Sequence, residues 1–137
     1  MGSRLLLSLV LTAFGTLASA NSFGTATTNF LPADEAFVPD VWSDGEQATV
    51  SWRIAPGYYL YGHALGFSIN GAELTVGVPE GEPYHDEHFG DVSIYRDQLF
   101  VTLPAAADRG TLTVRYQGCA DAGLCYPPMQ RSFTLTP

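Results

Sequence analysis

Cys119 and Cys125 are the only two cysteines in the 137-residue chain, and they stand six positions apart in Tyr116-Gln-Gly-Cys-Ala-Asp-Ala-Gly-Leu-Cys-Tyr-Pro-Pro128. Two thiols this close can close a disulfide, and they can exchange it. Exchange runs through a mixed disulfide, and a second nearby thiol resolves it and frees the partner. Closing so short a ring contributes roughly 2 kcal/mol by chain entropy, so a purely structural bridge here holds a turn instead of tying distant strands together. Gly118 and Gly123 give the ring the backbone freedom to close, and Pro127 and Pro128 stiffen its exit. Spacing alone leaves both readings open, a small staple or a redox pair.

The other chemistry-bearing residues are less specific. His85-Asp-Glu-His88 has the look of a metal cluster, but no third and fourth ligand accompanies it, and no metal is expected. Tyr58, Tyr59 and Tyr61 form an aromatic group that would pack whether or not a site exists. His63 has no constellation around it and reads as a surface or satisfied residue. No nucleophile-elbow motif supports a Ser-His-Asp hydrolase.

The compartment bears on the cysteines. Arg4 precedes an apolar run from Leu5 to Leu17, followed by Ala18-Ser-Ala20, which reads as a secretory signal peptide over residues 1–20 with an A-x-A cleavage site. The run falls short of the about 20 apolar residues a membrane-spanning helix needs, and no later segment comes closer, so no membrane span is expected in residues 21–137. Export implies an oxidising compartment, with a bacterial periplasm as the expected localisation. Without Arg4 the remaining chain has five arginines, no lysine and fourteen carboxylates, a net charge of five minus fourteen, −9. That charge argues against nucleic acid and anionic lipid, since phosphate contacts would be repulsive. Protein or small-molecule partners remain.

The elements that must position the pair are strands. Ala48, Val50, Trp52 and Ile54 alternate with Thr49, Ser51 and Arg53, and Leu112, Val114 and Tyr116 alternate with Thr113, Arg115 and Gln117. Shorter strands are predicted at Leu74–Val78, Leu99–Leu103 and Ser132–Thr136, with Gly and Pro punctuation at Pro56-Gly57, Asn70-Gly71, Pro79 and Pro104. One helical turn is predicted at Ala33–Phe37, and Asn21–Asn29 is expected to be loosely ordered. Residues 21–137 therefore read as one all-β domain, an immunoglobulin-like antiparallel β-sandwich. The inter-sheet disulfide of immunoglobulins is absent. The cysteines are predicted on the connection between a strand ending near Gln117 and one starting near Arg131, at one end of the sandwich.

The string from Tyr116 to Pro128 closely resembles a signature of the N-terminal periplasmic domain of the thiol:disulfide interchange protein DsbD, whose members pass reducing equivalents to periplasmic thiol proteins. Weaker blocks follow the same order: Phe30-Leu-Pro-Ala-Asp-Glu-Ala-Phe37, Gly57-Tyr-Tyr-Leu-Tyr61, Asp86-Glu-His-Phe-Gly90 and Ile94-Tyr-Arg-Asp97. The resemblance implies that Cys119 and Cys125 are the redox pair, with Cys125 forming the mixed disulfide and Cys119 resolving it. It implies that Asp86, Glu87, His88, Phe89 and Gly90 form a cap loop over the disulfide that opens when a partner docks, with Tyr59 and Tyr61 beside the pair. It implies a monomer without cofactor, with thioredoxin-fold partners: a thioredoxin-like donor domain, a disulfide isomerase and a cytochrome c maturation thioredoxin. The corresponding activity is a protein-disulfide reductase type of thiol:disulfide oxidoreductase.

Two departures qualify the resemblance. The family often has an aromatic residue where this chain has His88, so the shield is either Phe89 or an imidazole, and an imidazole that charges on acidification would weaken the cap. The membrane-embedded and C-terminal Cys-x-x-Cys domains of the family have no counterpart in these residues, which leaves a stand-alone relay served by a separate membrane reductase or one piece of a longer protein. Asp121 lies inside the ring, and with Asp86 and Glu87 nearby its charge is expected to disfavour a thiolate, leaving neither cysteine strongly activated. The alternative function is a secreted immunoglobulin-like binding module whose disulfide is purely structural.

Overall fold

The computed structural model describes residues 29–136, so the signal segment lies outside the described residues. One helical turn, Ala33–Ala36, leads directly into β1 (Phe37–Ser43), which pairs antiparallel with β2 (Ala48–Ile54). Next come β3 (Tyr58–Tyr61), a 3₁₀ turn at Gly62–Ala64, β4 (Gly66–Ile69) and β5 (Ala72–Glu73). A hairpin of β6 (Glu82–Asp86) and β7 (Gly90–Tyr95) precedes β8 (Gln98–Thr102), β9 (Gly110–Tyr116), β10 (Gly118–Ala120) and β11 (Met129–Leu135).

Among the described residues every strand pairing is antiparallel, in three sheets of order β1-β2-β8, β11-β9-β4-β5 and β10-β3-β7-β6. The first two face one another as the sandwich. Trp52 of β2 meets Phe67 of β4 at 6.0 Å and Tyr116 of β9 at 5.8 Å between ring centroids, both edge-on. Val50, Val101, Leu112 and Val114 fill the same core, all inaccessible to solvent. The immunoglobulin-like sandwich read from the alternation in β2 and β9 is the observed fold.

The third sheet makes the site. Strand β3 has no polar face because both of its faces are covered: Tyr58 and Leu60 enter the main core, while Tyr59 and Tyr61 point the other way into a second cluster with Ile94 and Cys119. The period of two is intact, but each half of it meets a different apolar environment. Strand β10 continues β9 after a single residue, Gln117, and pairs with β3 in the register Gly118↔Leu60, Cys119↔Tyr59 and Ala120↔Tyr58. Gly118 permits that approach: a Cβ on it would lie 2.3 Å from the Tyr59 carbonyl oxygen and 2.6 Å from Cζ of Phe37.

Two expectations are corrected. Leu74–Val78 is not a strand, because sheet pairing stops at Glu73. Leu74, Val76 and Val78 still pack half-buried on the core, so their alternation reports burial without a ladder. Cys119 and Ala120 lie on a strand and not on a connection; the turn of the ring is confined to residues 121–123, and Cys125 bridges back to Cys119.

Candidate active site around the Cys119–Cys125 disulfide

Cys119 and Cys125 are joined as a disulfide across a bridge between β10 and the returning chain. The ring is a small hairpin. Ala120 N–H donates to Leu124 O at 2.6 Å, Gly123 N–H donates to Ala120 O at 3.0 Å, and Gly123 takes the left-handed conformation at φ +108°. The two sulfurs are not equivalent. Cys119 is 1% exposed in the second apolar cluster, whereas Cys125 is exposed. An incoming thiol or disulfide therefore meets Cys125 first.

The phenol of Tyr61 sits against both sulfurs, its Oη 3.1 Å from Cys119 Sγ and 3.9 Å from Cys125 Sγ. Its O–H donates to Oδ2 of buried Asp86 at 2.5 Å. The other oxygen of the same carboxylate, Oδ1, accepts the backbone N–H of His88 at 2.7 Å and of Phe89 at 3.0 Å. Asp86 thus joins the sulfur side of the site to the tip of the β6–β7 hairpin with one carboxyl group. Burial pushes the Asp86 pKa up, but the bonds from Tyr61, His88 and Phe89 outweigh it and hold the acid below its ordinary value of 3.8. Burial, followed by the bond to Asp86, drives the Tyr61 phenol well above its ordinary value. Burial likewise pushes Tyr59 up to about 12. At neutral pH Asp86 is a carboxylate and Tyr61 a phenol whose proton is committed to it, so Tyr61 presents lone pairs to the sulfurs. That arrangement suits a Cys119 thiol that donates to Tyr61 and disfavours a thiolate there.

The hairpin tip, Glu87-His88-Phe89, is a three-residue loop closed by Gly90 in the left-handed conformation at φ +73°. It puts Phe89 and His88 on different sides. Phe89 packs its ring on Tyr61 at 5.2 Å and on His63 at 4.7 Å, so it covers the phenol that touches the sulfurs, and it is 51% exposed. His88 lines a cavity of about 270 Å³ together with Cys125, Asp86, Glu87, Tyr59 and Asp121. Its Nε2 lies 3.3 Å from Glu87 Oε1, while His85 Nδ1 lies 2.8 Å from Asp91 Oδ1. The two histidines of the H-x-x-H string engage different carboxylates, and among the described residues no group of three or more His, Cys, Asp or Glu is placed to hold a metal.

All of the sequence-predicted site residues come together: Cys119, Cys125, Tyr59, Tyr61 and the Asp86–Gly90 tip share one end of the molecule. Three further residues belong with them. His63, read as a surface or satisfied residue, is exposed and also packs its ring on Tyr61 and Phe89, brought there by the 3₁₀ turn after β3. Tyr84 packs on Tyr59 at 5.2 Å. Arg96 forms two bonds of 3.0 Å with the carboxylate of Asp121, so the ring's negative charge does not stand alone as the sequence suggested.

Similarity to known proteins points the same way. Residues 27–137 match the family model described as "Thiol:disulfide interchange protein DsbD, N-terminal". The protein of that name from Cronobacter sakazakii is 44% identical over 135 residues, covering 96% of this chain and 24% of the relative. The chain thus spans about a quarter of the length of the curated relatives it matches. The crystal structure of the Neisseria meningitidis DsbD N-terminal domain in the reduced form superposes with a TM-score of 0.70 at 33% identity, covering 79% of this chain and 90% of that one. A structure of the complex between the DsbD and PilB N-terminal domains of Neisseria meningitidis gives a TM-score of 0.67 at 35% identity, covering 77% and 87%.

Proposed function

The chain belongs to the family of N-terminal domains of the thiol:disulfide interchange protein DsbD, and from that premise we propose that it is a thiol:disulfide relay of the protein-disulfide reductase type, with Cys125 facing partners and Cys119 resolving. The observation that carries the assignment of the two sulfurs is their unequal exposure, Cys125 at the surface beside the cavity and Cys119 buried against Tyr61. A staple needs no such asymmetry, and it needs no hairpin tip fastened to it through Asp86.

In the reducing direction the domain begins as a dithiol. The Cys125 thiolate attacks one sulfur of a client disulfide, forming a mixed disulfide and expelling a client thiolate that takes up a proton. The Cys119 thiol, deprotonated, attacks Cys125 Sγ and expels the second client thiolate, which is protonated in turn. The client gains two electrons and two protons, and the Cys119–Cys125 disulfide is re-formed. A thioredoxin-like donor domain runs the reverse sequence to restore the dithiol. The clients are thioredoxin-fold proteins, disulfide isomerases and cytochrome c maturation thioredoxins among them; the relative solved with the PilB N-terminal domain is a precedent for engaging a second protein domain.

The Asp86–Gly90 tip acts as the cap, with Phe89 over Tyr61 and His88 at the mouth of the cavity beside Cys125. Residues 1–20 serve as the export signal and 21–137 as the redox domain, working as a monomer in the periplasm. Among the described residues no helix is long and apolar enough to cross a membrane. Measuring the reduction potential of the pair against a glutathione or thioredoxin buffer tests the relay. A potential within reach of thioredoxin-fold partners, above about −300 mV, supports it, and one well below that figure marks a structural bridge.

A further inference from the structure

Arg96 holds the ring from outside. It follows β7 in a two-residue connection to β8, where Asp97 takes the left-handed conformation at φ 62°, Asp97 O accepts Ile54 N–H at 2.8 Å, and Arg96 O accepts Gln98 N–H at 2.7 Å. From this fixed base the guanidinium passes over the face of Tyr59, Cζ to ring centroid 5.3 Å, and grips Asp121 with both terminal nitrogens at 3.0 Å. Asp121 is the only charged residue in the ring, and it lines the same cavity as Cys125. A bidentate fork of this kind fixes direction as well as distance, which an ammonium group does not.

We propose that Arg96 is a positioning residue for Cys125: it anchors the ring hairpin through Asp121 once the disulfide opens, and it sets the reactivity of the Cys125 sulfur by cancelling the one carboxylate inside the ring. The disulfide closes the ring covalently in the oxidised chain. After reduction the hairpin rests on its backbone bonds, among them Asp121 N–H to Gly57 O at 2.8 Å, and on the Arg96 fork. The other titratable groups facing Cys125 are Asp86, Glu87, His85 and His88 from the β6–β7 hairpin, the phenols Tyr59 and Tyr61 from β3, and Tyr84 from β6. None of these is a permanent cation. Arg96 is therefore the cation that offsets the Asp121 carboxylate beside the thiolate that exchange requires, and it also faces Glu82, Nε to Oε2 3.9 Å.

The role rests on the relay reading, but its test needs no partner, so the two fail separately. Alkylation of Cys125 by iodoacetamide, followed by peptide mass in the reduced chain from neutral to alkaline pH, reads the thiol titration directly. Arg96→Gln is expected to raise the midpoint by about half a pH unit and Asp121→Asn to lower it similarly, the scale of one charge acting through a largely solvated site. The double variant returns to the wild-type midpoint. Arg96→Lys keeps the midpoint because it keeps the charge, yet quickens amide exchange at Gly123 because it gives up the fork. Equal midpoints in all variants, or single variants shifting in the same direction as a merely loosened ring would, overturn the electrostatic role. Unchanged exchange at Gly123 in Arg96→Lys overturns the anchoring role.

Discussion

Replacing Asp86 by Asn changes one atom and most of the wiring of the site. In the wild type the carboxylate accepts three hydrogen bonds, from Tyr61 Oη, His88 N and Phe89 N, at 2.5, 2.7 and 3.0 Å. Bonds to an ionised acceptor contribute about 1.5–3 kcal/mol each and neutral ones about 0.5–1.5, so losing the charge removes roughly 1 kcal/mol per bond. Relief of the carboxylate's desolvation returns part of that sum. A net destabilisation of about 2 kcal/mol is expected at neutral pH, measured as a difference in urea unfolding of the oxidised chain. Because the folded state holds Asp86 below 3.8, its contribution is fully present above that value and is lost as pH falls through the lower folded value. The gap between wild type and Asp86→Asn should therefore close on strong acidification. A gap under about 0.5 kcal/mol at neutral pH, or one that persists unchanged into strong acid, would refute the reasoning. In the reduced chain the amide group turns Tyr61 into an acceptor from Asn, leaving its O–H for Cys119, so thiolate absorbance should rise at lower pH than in the wild type.

Other changes separate cap, scaffold and sulfur chemistry. Phe89→Ala removes ring contacts with Tyr61 and His63 from a half-exposed side chain, so stability should fall by no more than about 1 kcal/mol. Reduction of the disulfide by dithiothreitol should quicken roughly two- to tenfold as the tip lifts more often, and an unchanged rate argues against the cap. Gly118→Ala drives a methyl group into the Tyr59 carbonyl and the Phe37 ring and should cost about 3 kcal/mol in urea unfolding, with native stability contradicting the close packing of β10 on β3. His88→Ala should widen the cavity beside Cys125 and quicken reduction of the disulfide by dithiothreitol at neutral pH; identical rates in both proteins sink a role for His88 in that cavity.

How legible the molecule was depended on what each strand faces. Strands β2 and β9 bury an apolar face and set polar residues on the other, less deeply covered one, so alternation revealed them and with them the sandwich. Strand β3 is buried on both faces, and its Tyr-Tyr-Leu-Tyr run carries no alternation to read. Leu74–Val78 alternates without a partner strand. The cysteine ring and the Asp86–Gly90 tip were legible through their resemblance to a family. The contacts that link them were not, because Asp86 reaches Tyr61 from 25 positions away and Tyr61 reaches Cys119 across 58. His63 gave no signal as a lone histidine. Arg96 stood in the quoted block Ile94-Tyr-Arg-Asp97, but only tertiary structure brings it to Asp121.

The relay with Cys125 outward is tested most directly by trapping. Cys119→Ala and Cys125→Ala variants, each incubated with an oxidised thioredoxin-fold client after reduction of its single thiol, are resolved on non-reducing gels and the cross-linked peptides sequenced. The account predicts a mixed disulfide through Cys125 in Cys119→Ala and little or none through the buried sulfur in Cys125→Ala. Equal trapping by both variants, trapping only through Cys119, or no trapping by either would contradict it.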